Sequence, residues 1–204
     1  MSAVFTKRRT IFCVGAVAIL LLVASAVLLP AEGRSNKGKR AANVTLYNSE
    51  GDKVGRAKLK TIGDGETRVQ ARINRAAPEF HGFHIHEIGE CDPNAPGGPF
   101  MSAGGHLALP GQTHGAHSGD LPSLLVMEDG TAHLEFVTDR FEVKDLHDSD
   151  GSAVMVHAGR DNFANILDRY VSTTSGLPGP DQATLNTGDA GSRYACGVIE
   201  GKAG

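Results

Sequence analysis

A chain of 204 residues with a formal net charge of −3 holds one domain and an extension. The charge is unevenly placed, because residues 43–204 carry 13 basic and 22 acidic residues, a formal −9. That balance argues against nucleic acid or an anionic membrane as a partner of the domain, and any anionic substrate has to be drawn in by local positive charge. In chain order, Lys7-Arg8-Arg9 precede an apolar run of 19 residues at 11–29, and Pro30 follows. A basic segment before an apolar one is an export signal, and this run is also long enough to span a bilayer. Residues 1–30 are therefore either a signal cleaved after Ala24-Ser25-Ala26 or a retained membrane anchor. Arg34, Lys37, Lys39 and Arg40 on the far side remove any orientation rule based on flanking charge. Cys13, inside the run, has no lipid-attachment context. Residues 31–42 are polar and basic and form a flexible linker. The destination is an exported one, in the periplasm, cell envelope or extracellular space, with the domain released or tethered.

From residue 43 onward, short alternating runs dominate. Residues 43–47, 53–61, 67–73 and 80–86 alternate apolar and polar side chains as half-buried strands do. Residues 123–128 and 131–137 flank Asp129-Gly130, the sharpest hairpin signal in the chain. Residues 153–157 and 194–199 complete eight strands. No long helical period occurs after residue 31, and 141–146 holds one helical turn at most. The expected fold is all-β, an eight-stranded antiparallel Greek-key barrel or sandwich. Two long irregular segments, 88–122 and 158–193, interrupt it, and loops of that length in a compact domain are usually functional. Cys91 and Cys196 are the two cysteines of the domain. An even pair in an oxidising compartment forms a disulfide, the alternative being two buried free thiols.

The chemistry is concentrated in His81-Gly82-Phe83-His84-Ile85-His86-Glu87. On a strand, residues two apart share a face, so His84 and His86 stand side by side and His81 points away in a structural role. Paired imidazoles suit copper or zinc. Further donors follow at His106, His114, His117, Asp120 and His157, with Arg193 close to Cys196.

These residues lie in blocks that resemble copper/zinc superoxide dismutase. The blocks are Gly82-Phe83-His84-Ile85-His86-Glu87, Ser102-Ala103-Gly104-Gly105-His106, His117-Ser118-Gly119-Asp120-Leu121, Val156-His157, and Gly188-Asp189-Ala190-Gly191-Ser192-Arg193-Tyr194-Ala195-Cys196-Gly197. They occur in the family's order, and the likeness covers nearly everything after residue 43. The long segment between Arg160 and Ser192 resembles the exported bacterial branch. The resemblance implies a domain at 43–204 that disproportionates superoxide by cycling copper between Cu(II) and Cu(I). It assigns copper to His84, His86, His106 and His157, and zinc to His106, His114, His117 and Asp120. His106 would bridge both metals, release copper on reduction and carry a proton. Arg193 would steer and dock superoxide, and Asp161 would link copper and zinc ligands through their outer nitrogens. One departure concerns zinc: two residues separate His114 from His117 where the family has a longer loop. All four ligand types survive that shortening, while some relatives with short loops bind copper alone. The other class of function on this scaffold is a copper carrier without turnover. The carrier lacks a copper ligand or the arginine, and this chain has both. Oligomeric state stays open, a homodimer being one of the forms the family uses.

Overall fold

The computed structural model describes residues 40–63 and 65–199. The export segment or anchor read at 1–30, and the linker as far as residue 39, lie outside the described residues. Three strands form a meander: β1 (Ala41–Asn48), β2 (Lys53–Ile62) and β3 (Glu66–Ile73). β1 begins at Ala41, so residues 41 and 42 are strand rather than linker. Two short strands follow, β4 (Phe80–His81) and β5 (Phe83–His86), then β6 (Leu124–Leu125) and β7 (Ala132–Thr138). The chain ends in β8 (Ser152–His157) and β9 (Arg193–Ile199). Seven strands form one antiparallel sheet in the order β5-β8-β9-β1-β2-β3-β7, and β4 pairs with β6. After the meander the chain crosses to the far edge at β5 and returns to lay β7 beside β3, which is Greek-key connectivity.

The two edges of the sheet share one core. Phe83 and Ile85 of β5 belong to the same apolar cluster as Val69 and Ala71 of β3, and Leu134 and Phe136 of β7 pack against it. Its buried members extend from Ala42 to Ile199, so this stretch carries a core of its own. Burying each large apolar side chain stabilises by roughly 1.5–3 kcal/mol. The gap beside β5 is closed by the stretch 119–126. Ile85 N donates to Gly119 O (2.8 Å), His81 and Phe80 pair with Leu124 and Leu125, and Val126 N donates to Glu79 O (2.8 Å).

Three details differ from the sequence expectation. The single strand expected at 80–86 is split at Gly82, whose N–H donates to Gly159 O (2.9 Å) instead of continuing the ladder. A Cβ there would lie 2.7 Å from the Ala190 Cβ, so glycine lets the loop cross. The Asp129-Gly130 turn forms, with Met127 N donating to Thr131 O (2.8 Å), yet its two arms do not make a hairpin ladder. β6 pairs with β4 and β7 with β3, because Leu124 and Val126 complete the core beside the free edge of β4. One helix also escapes the reading, α1 (Gln182–Thr187), held by the Asp181 side chain accepting from Thr184 N and by Gly188 in the left-handed region.

Candidate metal centre

On β1, β2 and β3 buried residues alternate with exposed or half-buried ones, but every residue of β5 and β8 is buried. The two long segments cover their outer faces. Inward, Phe83, Ile85, Val154 and Val156 feed the main core. Outward, Ala153 and Met155 join Phe100, Ala103 and Cys196 in a second, smaller cluster. Cys91 and Cys196 are disulfide-bonded, with Cα atoms 5.7 Å apart and a sequence separation of 105, so the free-thiol alternative falls. His84, His86 and His157 occupy the remaining outward positions, under a lid fixed to β9.

Four donor atoms converge on one side. Asp120 Oδ1 lies 3.0 Å from His106 Nδ1, 3.2 Å from His114 Nδ1 and 3.3 Å from His117 Nδ1. His106 Nδ1 and His114 Nδ1 are 3.2 Å apart. Donors about 2.0 Å from a tetrahedral zinc ion stand about 3.3 Å from one another, and the separations among Asp120, His106 and His114, with that from Asp120 to His117, match this spacing. The short His114-Gly-Ala-His117 turn permits the fit. Asp120 Oδ2 accepts from Gly115 N (2.7 Å) and His117 N (3.0 Å), so the carboxylate braces the turn that carries its partners.

The second cluster is His84, His86, His106 and His157, all buried, with donor atoms within 4.8 Å of one another. Each ring is held by one nitrogen and aims the other inward. His84 Nε2 donates to Asp161 Oδ2 (2.8 Å), His86 Nδ1 to Gly104 O (3.1 Å), and His157 Nδ1 to Gly191 O (3.1 Å). His106 uses Nδ1 on the Asp120 side. On the inner side, His86 Nε2 and His157 Nε2 are 3.4 Å apart. His84 Nδ1 and His106 Nε2 are buried with no partner from the protein. A buried, unsatisfied polar atom costs roughly 1–3 kcal/mol, and a copper ion at the common focus would remove that cost twice. His84 also lies close to the first cluster. Its Nε2 is committed to Asp161, and the unpaired Nδ1 assigns it to the second. Asp161 spans the two clusters, since its Oδ1 accepts from His114 Nε2 (2.7 Å).

Electrostatics support neutral rings where a metal needs them. Burial pulls the His84 pKa down to about 4, over the opposing hydrogen bond to Asp161, and pulls His157 down to about 3 with help from neighbouring His84. Burial likewise holds His86 well below its ordinary value and lowers His117. His114 goes the other way: burial opposes its charge, but Asp120 and Asp161 outweigh burial and raise it to about 9. Burial would raise both carboxylates, and hydrogen bonds from the imidazoles hold them far below the usual range instead.

A cavity of about 780 Å³ opens onto the second cluster, lined among others by His86, His106, His157, Met101 and Arg193. Among the described residues its lining holds no carboxylate, and Arg193 is its one permanent cation. The guanidinium donates from one terminal nitrogen to Phe100 O and from the other to Gly104 O. Both acceptors belong to the lid that the disulfide ties down.

The profile described as copper/zinc superoxide dismutase matches residues 53–199. The chain belongs to the copper/zinc superoxide dismutase family. It is 45% identical to the superoxide dismutases [Cu-Zn] of Mycobacterium tuberculosis and Mycobacterium bovis over 181 residues, covering 84% of this chain and 75% of theirs. With that of Mycolicibacterium paratuberculosis it shares 44% over 163 residues, covering 76% of this chain and 71% of the other. Among solved structures, Cu/Zn superoxide dismutase from Brucella abortus aligns with TM-score 0.58 at 28% identity, over 78% of this chain and 99% of that one. A SOD-like protein from Bacillus subtilis aligns with the same TM-score and identity, over 78% of this chain and 98% of that one. The chain is thus a superoxide dismutase, converting two superoxide ions and two protons to dioxygen and hydrogen peroxide, with copper and zinc as the metals of its family.

Within this dismutase, the structure brings His84, His86, His106, His114, His117, Asp120, His157, Asp161 and Arg193 into one assembly. His81 stands apart, its two ring nitrogens within 2.8 Å of the carbonyls of His157 and Ala77. Three residues escaped the sequence reading. Arg140 donates to His117 O (2.7 Å), Asp120 O (3.3 Å) and Gly115 O (3.2 Å), clamping the short ligand turn from outside. Gly104, at φ 71°, supplies the carbonyl shared by His86 and Arg193, and a Cβ there would lie 2.6 Å from Glu87 Oε1. Gly188, at φ 61°, makes room for the Asp161–His114 contact, which a Cβ would collide with. Both glycines lie within the blocks that carry the resemblance. Nothing in the polar stretch around Arg140 marks it.

Proposed function

We propose that His84, His86, His106 and His157 hold copper and that His106, His114, His117 and Asp120 hold zinc, in an exported superoxide dismutase. The observation that carries this is the divided use of His106: Nδ1 sits in the N₃O set and Nε2 faces the other three histidines, unpaired. Copper supplies one-electron redox chemistry at such a site, and zinc a fixed positive charge. The chain's own residues do the rest. Arg193 is the only permanent charge in the cavity wall among the described residues, so it draws the small anion inward and orients it with a planar fork of donors. His106 Nε2 is the nitrogen placed to take a proton and to give it to the reduced product. Asp161 fixes the ring planes of His84 and His114. The basic and apolar segment at 1–30 supports export to the periplasm, envelope or exterior, with the domain released or tethered.

The test is elemental analysis of a purified fragment comprising residues 36–204, which starts ahead of β1, with superoxide turnover measured on the same sample. One copper and one zinc with fast turnover is the expected result. Copper alone with full turnover would remove His114, His117 and Asp120 from any metal site. Bound copper without turnover would overturn the assignment of the catalytic residues.

A further inference from the structure

The net charge of −9, which taken as a whole argues against an anionic membrane as partner, conceals how the cations are arranged. Seven of the 13 basic residues in 43–204 fall between Lys53 and Arg75. Lys53, Arg56, Lys58 and Lys60 of β2 and Arg68 and Arg72 of β3 are all exposed, on the sheet face opposite the core. The strand register sets like against like: Arg56 is paired with Arg72, and Lys60 with Arg68. Like charges directly opposite one another destabilise an antiparallel pair. Relief within the protein is slight, since among the described residues the ion pair on this face is Arg68 with Glu135 at 3.6 Å. Solubility alone is served better by interspersed signs. Two opposed cation pairs thus face solvent in an otherwise acidic domain, open to an external anion.

We propose that the outer face of β2 and β3 docks the barrel onto an anionic phospholipid bilayer. A ten-residue strand extends for about 33 Å, and cations spaced along it match a distributed field of charge rather than one small anion. The choice of a bilayer rests on the membrane-directed reading of 11–29. That run is followed by Arg34, Lys37, Lys39 and Arg40. Arg40 O accepts from Thr61 N (2.8 Å) and Ala41 pairs with Lys60, so Arg40, the last of these cations, joins the sheet beside Lys60. The docked orientation spares the active site. β9 and β1 separate β2 from the cavity-bearing β8 and β5, so the entrance stays open to superoxide.

The test uses the 36–204 fragment, loaded with metal, so that binding owes nothing to the apolar run. It is sedimented with vesicles of equimolar phosphatidylglycerol and phosphatidylcholine and with vesicles of phosphatidylcholine alone. The expected result is association with the anionic vesicles at low ionic strength, release at about 0.5 M salt, and no association with the neutral ones. The double variant Arg56→Glu/Lys60→Glu converts both like-charge pairs into opposite-charge pairs. It should bind at least about tenfold more weakly, keep wild-type turnover and melt no lower than wild type. Failure of the wild-type fragment to bind anionic vesicles would overturn the proposal, as would equal binding by the variant. Capture by soluble polyphosphate without vesicle binding would replace the bilayer with a soluble polyanion. If the fragment binds vesicles while residues 11–29 prove dispensable for membrane association of the full chain, the anchor reading falls and the docking face stands.

Discussion

Two walls of the same barrel treat charge in opposite ways. At β5 and β8 both strand faces are buried, and Asp120 and Asp161 each meet two or more imidazoles within 3.3 Å. At β2 and β3 one face is wet, and arginine stands opposite arginine. The difference follows from the medium. Water screens neighbouring cations to a small penalty, whereas a buried charge without a partner is expensive enough to forbid the fold. A total such as −9 therefore describes neither wall.

Substitutions that attack the buried wall should have the largest effects. His157→Ala should reduce superoxide turnover to background and lower copper content in the same preparation; full activity would remove it from the site. Next comes the bridge that ties the lid to β9. Closing a loop of 105 residues is worth about 4–5 kcal/mol on the chain-entropy account, so reduction of Cys91–Cys196 should lower the melting temperature by about 10 °C. An unchanged melting curve would show that packing of Phe100 and Met155 holds the lid without it. Arg193→Ala should slow turnover by about a hundredfold at low ionic strength while copper stays bound, and copper loss would make its role structural. Arg140→Ala should weaken zinc retention by about tenfold in a chelator challenge with copper content unchanged, which sharpens the contrast between a cation spent on a ligand turn and those left on the open sheet. Smallest of all, Lys58→Ala on the wet wall should change stability by no more than about 0.5 kcal/mol. A larger loss in a denaturant titration would mean the basic face has a structural role after all.

The same contrast explains what was legible in the sequence. β1, β2 and β3 announce themselves because a wet face forces alternation. β5 and β8 have no such face, and β5 was readable through its histidines, whose spacing put both on one side. The lid and its ligands were readable through blocks of residues rather than through any periodicity. The Asp129-Gly130 turn misled about pairing because a turn fixes only the local reversal, while the free edge of β4 and the main core decided where Leu124 and Leu125 would go. α1 was missed because six residues present no apolar stripe; its evidence was in the caps, Asp181 and Gly188. Arg140 could not be found at all, since its acceptors are carbonyls 20 to 25 residues earlier in the chain.

Asp161 has a thermodynamic consequence beyond geometry. One carboxylate steadies a ring of each cluster, through Oδ2 to His84 and Oδ1 to His114, and His106 belongs to both. Filling either site thus settles groups that the other would otherwise have to order for itself. By reciprocity, whatever factor a zinc ion adds to the affinity for copper, a copper ion adds to the affinity for zinc. The two occupancies form a single binding polynomial, and its cross term resides largely in one aspartate and one histidine.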